Sequence, residues 1–300
     1  MKKRLKAKND FIFQRIFGRQ ENKDILLSLL NAILNFKDDN RLHDIEIMEN
    51  TKLEKERIKD KQGILDVKAR TIAGVWINIE IQLVNQYNME KRTLFYWSKL
   101  FAEQLNPGQG FDELSKTITI NILDFKLIEL EKYHTVFHLR ENEVRDYILT
   151  DILEIHFIEL SKFRKIKEGP DISNALDRWL LFLESSSEEV LELIKGQDPA
   201  IAKAEKILDW LGSDEETVRL YELREKAIHD EVTRMKGAKK EGREEGREEG
   251  RKEGRKEGKE EGIKEVAANM LSDDINIDTI HRITGLPIDE LKKIQKNRQH

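Results

Sequence analysis

The chain has 300 residues, of which 38% are hydrophobic and 37% charged, with a net charge of −5 and no cysteine. That composition supplies one sizeable domain plus smaller appendages, with more charge than the roughly 25% of an average domain. It excludes disulfides and thiolate zinc or redox sites. No run approaches the roughly 18–20 apolar residues needed to span a bilayer. The basic opening MKKRLKAKNDF lacks the apolar stretch of a signal peptide, so a soluble cytoplasmic protein is expected. The acidic balance argues against tight non-specific nucleic-acid binding, leaving local basicity at Lys2 to Lys8 and around Lys91, Arg92 and Lys99.

Residues 10 to 36 read as helix, with Phe11, Phe13, Ile16, Phe17, Ile25, Leu29, Leu30 and Ile33 supplying apolar faces and a break near Gly18 to Asn22. Asp10 stands before this helix, where a carboxylate caps backbone N–H groups. Asp44 to Met48 reads as a first strand.

Residues 63 to 84 read as a hairpin. In Val75 to Val84 the residues Val75, Ile77, Ile79, Ile81 and Leu83 alternate with Trp76, Asn78, Glu80, Gln82 and Val84, the period of a strand with one apolar face. The break is Ile72-Ala73-Gly74, and a three-residue loop ends best on a glycine in the left-handed region. If Thr71 faces Val75, Asp66 lies directly opposite Glu80, and cross-strand partners share a face with Cβ atoms roughly 4.5–5.5 Å apart. Asp66, Lys68, Glu80 and Gln82 then share one face. Two readings stay open: an ordinary solvated face, or two opposed carboxylates whose repulsion a divalent cation relieves.

Asn88 to Leu105 reads as a helix ending before Asn106-Pro107-Gly108. Thr117 to Phe125, Thr135 to Leu139 and Ile152 to Ile158 read as strands. The order α-β-β-β-α-β suits an α/β core with a mixed sheet. His134 and His138 share a strand face, but nothing matches a zinc signature, and a surface or structural role is expected.

The ordered set of these segments carries a resemblance. It comprises Asn9-Asp10-Phe11-Ile12-Phe13 with Ile16-Phe17-Gly18, then Asp66 and Glu80-Ile81-Gln82 on successive strands. Lys91-Arg92-Thr93-Leu94-Phe95-Tyr96-Trp97, Gly110-Phe111, Ile118 to Leu123 and Glu154 to Leu160 follow, with a Gly-punctuated charged repeat at the end. The chain resembles the PD-(D/E)XK nuclease superfamily and, more narrowly, the Rpn family of recombination-promoting nucleases, also described as transposases. The resemblance implies a restriction-endonuclease-like α/β core with a mixed sheet flanked by helices. It implies metal-dependent DNA endonuclease activity, with Asp66 and Glu80, and Asp10 from the first helix, ligating Mg²⁺ or Mn²⁺. Leu65 stands where the superfamily name has proline, and Gln82 where it has lysine. Gln82 would orient the attacking water, and Lys68, with Arg92 as the weaker candidate, would supply the missing positive charge.

From Pro170 to Met235 the spacing is helical, as in Leu176, Trp179, Leu180 and Leu183, and the helices either pack on the core or form a small bundle. Residues 241 to 262 repeat a tetrapeptide with glycines at 242, 246, 250, 254, 258 and 262. Each glycine costs about 1 kcal/mol relative to alanine in a helix, while flanking charges pair at i, i+3 and i, i+4. A helical arm, self-associating on the glycine stripe into a homo-oligomer, competes with a charged linker. Glu265 to Gln295 reads as three short helices with a turn at Thr284-Gly285-Leu286-Pro287. This is helix-turn-helix-like, but Asp289 and Glu290 suit DNA poorly, which favours a small interaction or capping module. The expected organisation is a nuclease-like core at 1–168, a helical region at 169–236, the repeat at 237–262 and a tail module at 263–300.

Overall fold

Thr71 and Val75 close the central hairpin: Thr71 N–H donates to Val75 O at 2.9 Å, and Gly74 N–H donates back to Thr71 O at 2.9 Å. Gly74 sits at φ +84°, the left-handed conformation that the loop requires. A computed structural model describes residues 4–36, 41–48, 67–166 and 168–297. Strands β2 (Val67–Thr71) and β3 (Trp76–Gln82) pair antiparallel, with Val67 opposite Ile79, Lys68 opposite Asn78 and Ala69 opposite Ile77. This is the expected register. Asp66 itself, and residues 63–65 of the expected strand, lie outside the described residues.

The remaining strands are β1 (Ile45–Met48), β4 (Thr117–Leu123), β5 (His134–Arg140) and β6 (Ile148–Glu159). They build a six-stranded sheet in the order β1-β2-β3-β4-β6-β5. Pairs β3–β4 and β4–β6 are parallel and the others antiparallel, so the sheet is mixed. One face carries Ile45, Ile47, Val67, Ala69, Ile77, Ile79, Ile81, Ile118, Ile120 and Ile122, all buried in the main core. Helices α1 (Asp10–Phe17) and α2 (Lys23–Leu34) supply Phe13, Phe17, Leu26 and Leu30 to the same core. The cap of α1 is Asn9, whose side chain accepts from Phe11 N–H and Ile12 N–H. Asp10, expected at that position, falls one residue later in the first helical turn.

Helix α3 (Met89–Ala102) is the crossover between parallel strands β3 and β4 and packs on both. It changes the meaning of the alternation in β3. The face bearing Asn78 and Glu80, which the sequence left open as a solvated one, is covered: Asn78 is 0% and Glu80 1% exposed. Crossover helices bury the second face of parallel strands, and here that second face is polar.

After β6 come α4 (Leu160–Phe163), α5 (Ala175–Leu183), α6 (Glu188–Gln197) and α7 (Pro199–Leu211). Leu176, Trp179, Leu180, Ile201 and Leu208 join the same core as α1, α2 and the sheet, so these helices pack on the core rather than forming a bundle of their own.

Helix α8 runs unbroken from Glu215 to Ser272, through the glycine repeat and the first expected tail helix. No proline interrupts it, and ion pairs one turn apart, such as Lys252–Glu248 at 2.8 Å, support it. The chain divides into two compact units, Met1–Val232 and Thr233–His300. In the second unit the end of α8, α9 (Ile277–Thr284) and α10 (Ile288–Asn297) share a small core of Ala267, Ile280 and Leu291. Gly285, at φ +74°, ends α9. Among the described residues no helix is long and apolar enough to cross a membrane.

Candidate functional site

The polar layer beneath α3 is built by register. Strand β3 contributes Asn78 and Glu80, and its parallel neighbour β4 places Thr119 beside Asn78 and Asn121 beside Glu80. Helix α3 lowers Arg92 and Thr93 onto them: Thr93 Oγ1 donates to Asn121 Oδ1 at 3.1 Å, and Asn121 Nδ2 donates to His156 O at 3.1 Å. All of the strand residues in this layer are 0–1% exposed.

Glu80 is its only carboxylate among the described residues of these three elements' buried faces. Burial pushes its pKa up, while the guanidinium of Arg92 and the nearby Asn78 amide push it down, and burial prevails. Arg92 Nε stands 3.3 Å from Glu80 Oε2, and its guanidinium lies 5.1 Å from the centroid of the Tyr96 ring. Among the described residues, Glu80 Oε1, Arg92 Nη2, both amide atoms of Asn78 and Thr119 Oγ1 are buried with no partner in good hydrogen-bond geometry, although the Asn78 amide is near enough to act on the Glu80 carboxyl. Unsatisfied buried polar groups are rare in folded proteins and each calls for an explanation. Here they gather on one face, between three elements.

The structure reorders the candidate cations. Lys68 faces the same side of the sheet as Asn78, its cross-strand partner, but its Nζ is bound to Glu103 Oε2 at 3.0 Å, just beyond the last turn of α3. Arg92, the weaker candidate from sequence, is the one on Glu80. Its helical position does not separate it from the strand, because α3 folds directly back over β3. Gln82 ends β3 opposite Leu123, and its carbonyl accepts from Asp124 N–H at 2.9 Å. Asp10 is held by the Arg224 guanidinium, which donates to both of its carboxylate oxygens. Among the described residues no three His, Asp or Glu side chains are grouped to hold a metal. The basic start of the chain is likewise engaged: Arg4 pairs with Glu205, Lys6 with Glu225, and Lys8 with Asp124 and Glu184. Lys91 and Phe95 are exposed on the outer face of α3.

Residues 7–238 match the family model of the PD-(D/E)XK nuclease family transposase. The chain belongs to this family. No curated protein and no solved structure matches it. The six-stranded mixed sheet with flanking helices is thus a PD-(D/E)XK core with a helical C-terminal region, and membership assigns a nuclease-like, transposase-related role.

On the opposite face of this PD-(D/E)XK sheet lies a chain of polar contacts that spacing along one strand does not reveal, because His134 and His156 meet across the paired strands β5 and β6. His134 Nε2 lies 2.9 Å from His156 Nδ1, and His156 Nε2 lies 2.7 Å from Glu154 Oε1. Lys116 Nζ completes it at 2.6 Å from Glu154 Oε2. Burial and then the neighbouring His156 push the His134 pKa down to about 4, against the opposing pull of Glu154. Burial raises Glu154, but His156 and Lys116 outweigh it and hold the carboxyl at about 2. Both folded-state values lie below the unfolded ones, so both groups bind more protons when unfolded, and stability falls as pH falls. For His134 the window is about pH 6.5 to 4, and for Glu154 about pH 4.5 to 2. A melting-temperature series from pH 7 to 4 is expected to decline in wild type and to flatten in His134→Gln. Equal slopes in the two proteins would sink this assignment.

Proposed function

We propose that this family member is a metal-dependent endonuclease that hydrolyses DNA phosphodiester bonds at the polar face beneath α3, with a role linked to recombination or mobile DNA. The observation that carries the reading is Glu80: a buried carboxylate with one oxygen unpartnered, among other unpartnered polar atoms. Val67 faces Ile79, as the hairpin reading of the sequence expects, and that same reading sets Asp66, which lies outside the described residues, against Glu80. Two carboxylates on adjacent strands suit Mg²⁺ or Mn²⁺, which take one or two carboxylates together with water and phosphate oxygens. The Glu80 Oε1 atom fits such an ion, so Asp66 and Glu80 are assigned as its ligands, while Asp10 is engaged by Arg224. A divalent ion held there by Asp66 and Glu80 would lower the pKa of a bound water and offset charge on the scissile phosphate. Gln82 accepts from and donates to the attacking water, aligning it without charge. Lys68, on the same side of the sheet as Asn78 but bound to Glu103, is the lesser source of positive charge here.

The testing experiment is nicking of supercoiled plasmid. Activity is expected with Mg²⁺ or Mn²⁺ and none with EDTA. Silence at high protein concentration with either metal, alongside retained DNA binding, would favour a second reading: a catalytically inactive nucleic-acid or protein-binding module. That alternative draws on the closure of the site, where Glu80 is 1% exposed and already holds Arg92.

The second compact unit supports a homo-oligomeric reading. Each glycine from Gly242 to Gly262 faces open space, with no heavy atom within 4 Å of where a Cβ would stand. A solvated helix carrying glycine at every fourth position gives up about 1 kcal/mol at each one, and close packing of a second copy on that stripe would offset the loss. Light scattering is expected to show an oligomer that dissociates when Gly246, Gly250 and Gly254 become leucine. An unchanged mass would remove the repeat from any assembly role.

A further inference from the structure

The ion pair at the centre of the site is incompletely made. The 3.3 Å Nε–Oε2 separation exceeds the roughly 2.7–2.9 Å of a good charge-assisted hydrogen bond. The guanidinium fork is unused, since Arg92 Nη2 has no acceptor and Glu80 Oε1 no donor. Both groups are desolvated, the Arg92 side chain being 12% exposed and that of Glu80 1%. For stability alone, well-packed apolar residues would often serve as well as such a pair or better.

The neighbours share the pattern. Thr119 Oγ1, on the same face and 0% exposed, likewise has no hydrogen-bond partner among the described residues. The unmet cationic donor is Arg92 Nη2, and a planar guanidinium matches phosphate oxygens best. The Tyr96 ring, 5.1 Å from the guanidinium, gives Arg92 a second contact besides Glu80. Among the described residues of this face no other cation competes, since Gln82 has no charge and Lys68 is held by Glu103.

We propose that Arg92 is the phosphate-facing cation of this site and that it exchanges partners. It rests on Glu80 when no nucleic acid is bound, and it turns its free Nη2 donor to a phosphate oxygen when a strand enters. This rests on the nuclease reading and adds to it the residue that replaces the absent lysine. It also gives the pair a regulatory sense: while Arg92 sits on Glu80, each keeps the other from its ligand.

The test separates the exchange from the nuclease reading by measuring binding without metal. A fluorescently labelled DNA oligonucleotide is titrated in EDTA and followed by anisotropy. Glu80→Gln frees the guanidinium and is expected to tighten binding about fivefold or more over wild type. The double variant Glu80→Gln/Arg92→Met, which carries no buried unpaired charge, is expected to lose that gain. With Mn²⁺, Arg92→Met is expected to lower kcat for nicking about a hundredfold with a smaller change in KM, and Arg92→Lys to recover part of it. If Glu80→Gln binds no tighter than wild type, or the double variant keeps the gain, the exchange is overturned. If wild type fails to nick with either metal, the nuclease reading falls, and the binding arm still decides the role of Arg92.

Discussion

Asp66→Ala and Glu80→Gln are each expected to lower plasmid nicking by about 10²–10³-fold or more, the loss that follows removal of one group stabilising developing charge. Glutamine at position 80 keeps the volume of the side chain, so packing under α3 is retained while the anionic ligand is lost. Glu80→Ala is the poorer test. Both substitutions take the counter-charge from Arg92, and breaking one side of a buried pair costs about 3–5 kcal/mol, but alanine also removes the acceptor at Arg92 Nε and leaves a cavity under α3. Circular dichroism and thermal melts of the variants separate the two causes. Cutting that persists in either variant at the wild-type rate would place the chemistry elsewhere or expose a contaminant.

Trp179→Ala is expected to destabilise the first compact unit by about 3–5 kcal/mol, the usual cost of truncating a fully buried tryptophan. Trp179 is 0% exposed, with its ring 5.6 Å from Phe17 and 5.8 Å from Phe182. Its Nε1 donates to Ser28 Oγ at 3.2 Å, so it joins α5 to both α1 and α2. In a unit of this size the expected fall in Tm is roughly 6–20 °C. The measurement also reports on cooperativity. A fall of less than about 2 °C would mean that the helices from Ala175 to Leu211 melt apart from the sheet.

Both results turn on contacts between segments far apart in the chain, and these were unequally legible. The central hairpin was the most legible part. Its pleat has a period of two, and its loop offers one glycine in the place where a left-handed residue is needed, so the pairing of Val67 with Ile79 followed from neighbours alone. The order of helices and strands followed in the same way, and with it the PD-(D/E)XK assignment. Local capping was less legible, because Asn9 and Asp10 are adjacent residues of similar capping ability, and the backbone angle at Asn9 decided between them.

Sequence by itself determined the sheet-forming segments, the face shared by Lys68, Asn78 and Glu80, and the absence of cysteine chemistry. Only the tertiary structure decided that this face is buried, that Arg92 rather than Lys68 stands on Glu80, that Asp10 is bound to Arg224, and that α8 runs through the repeat without a break. The physical reason is range. Pleat and turn preferences act between residues a few positions apart. Burial of the polar face and the choice of counter-ion depend on where the β3–α3–β4 crossover lays its helix, and alternation within one strand carries no record of what will cover it.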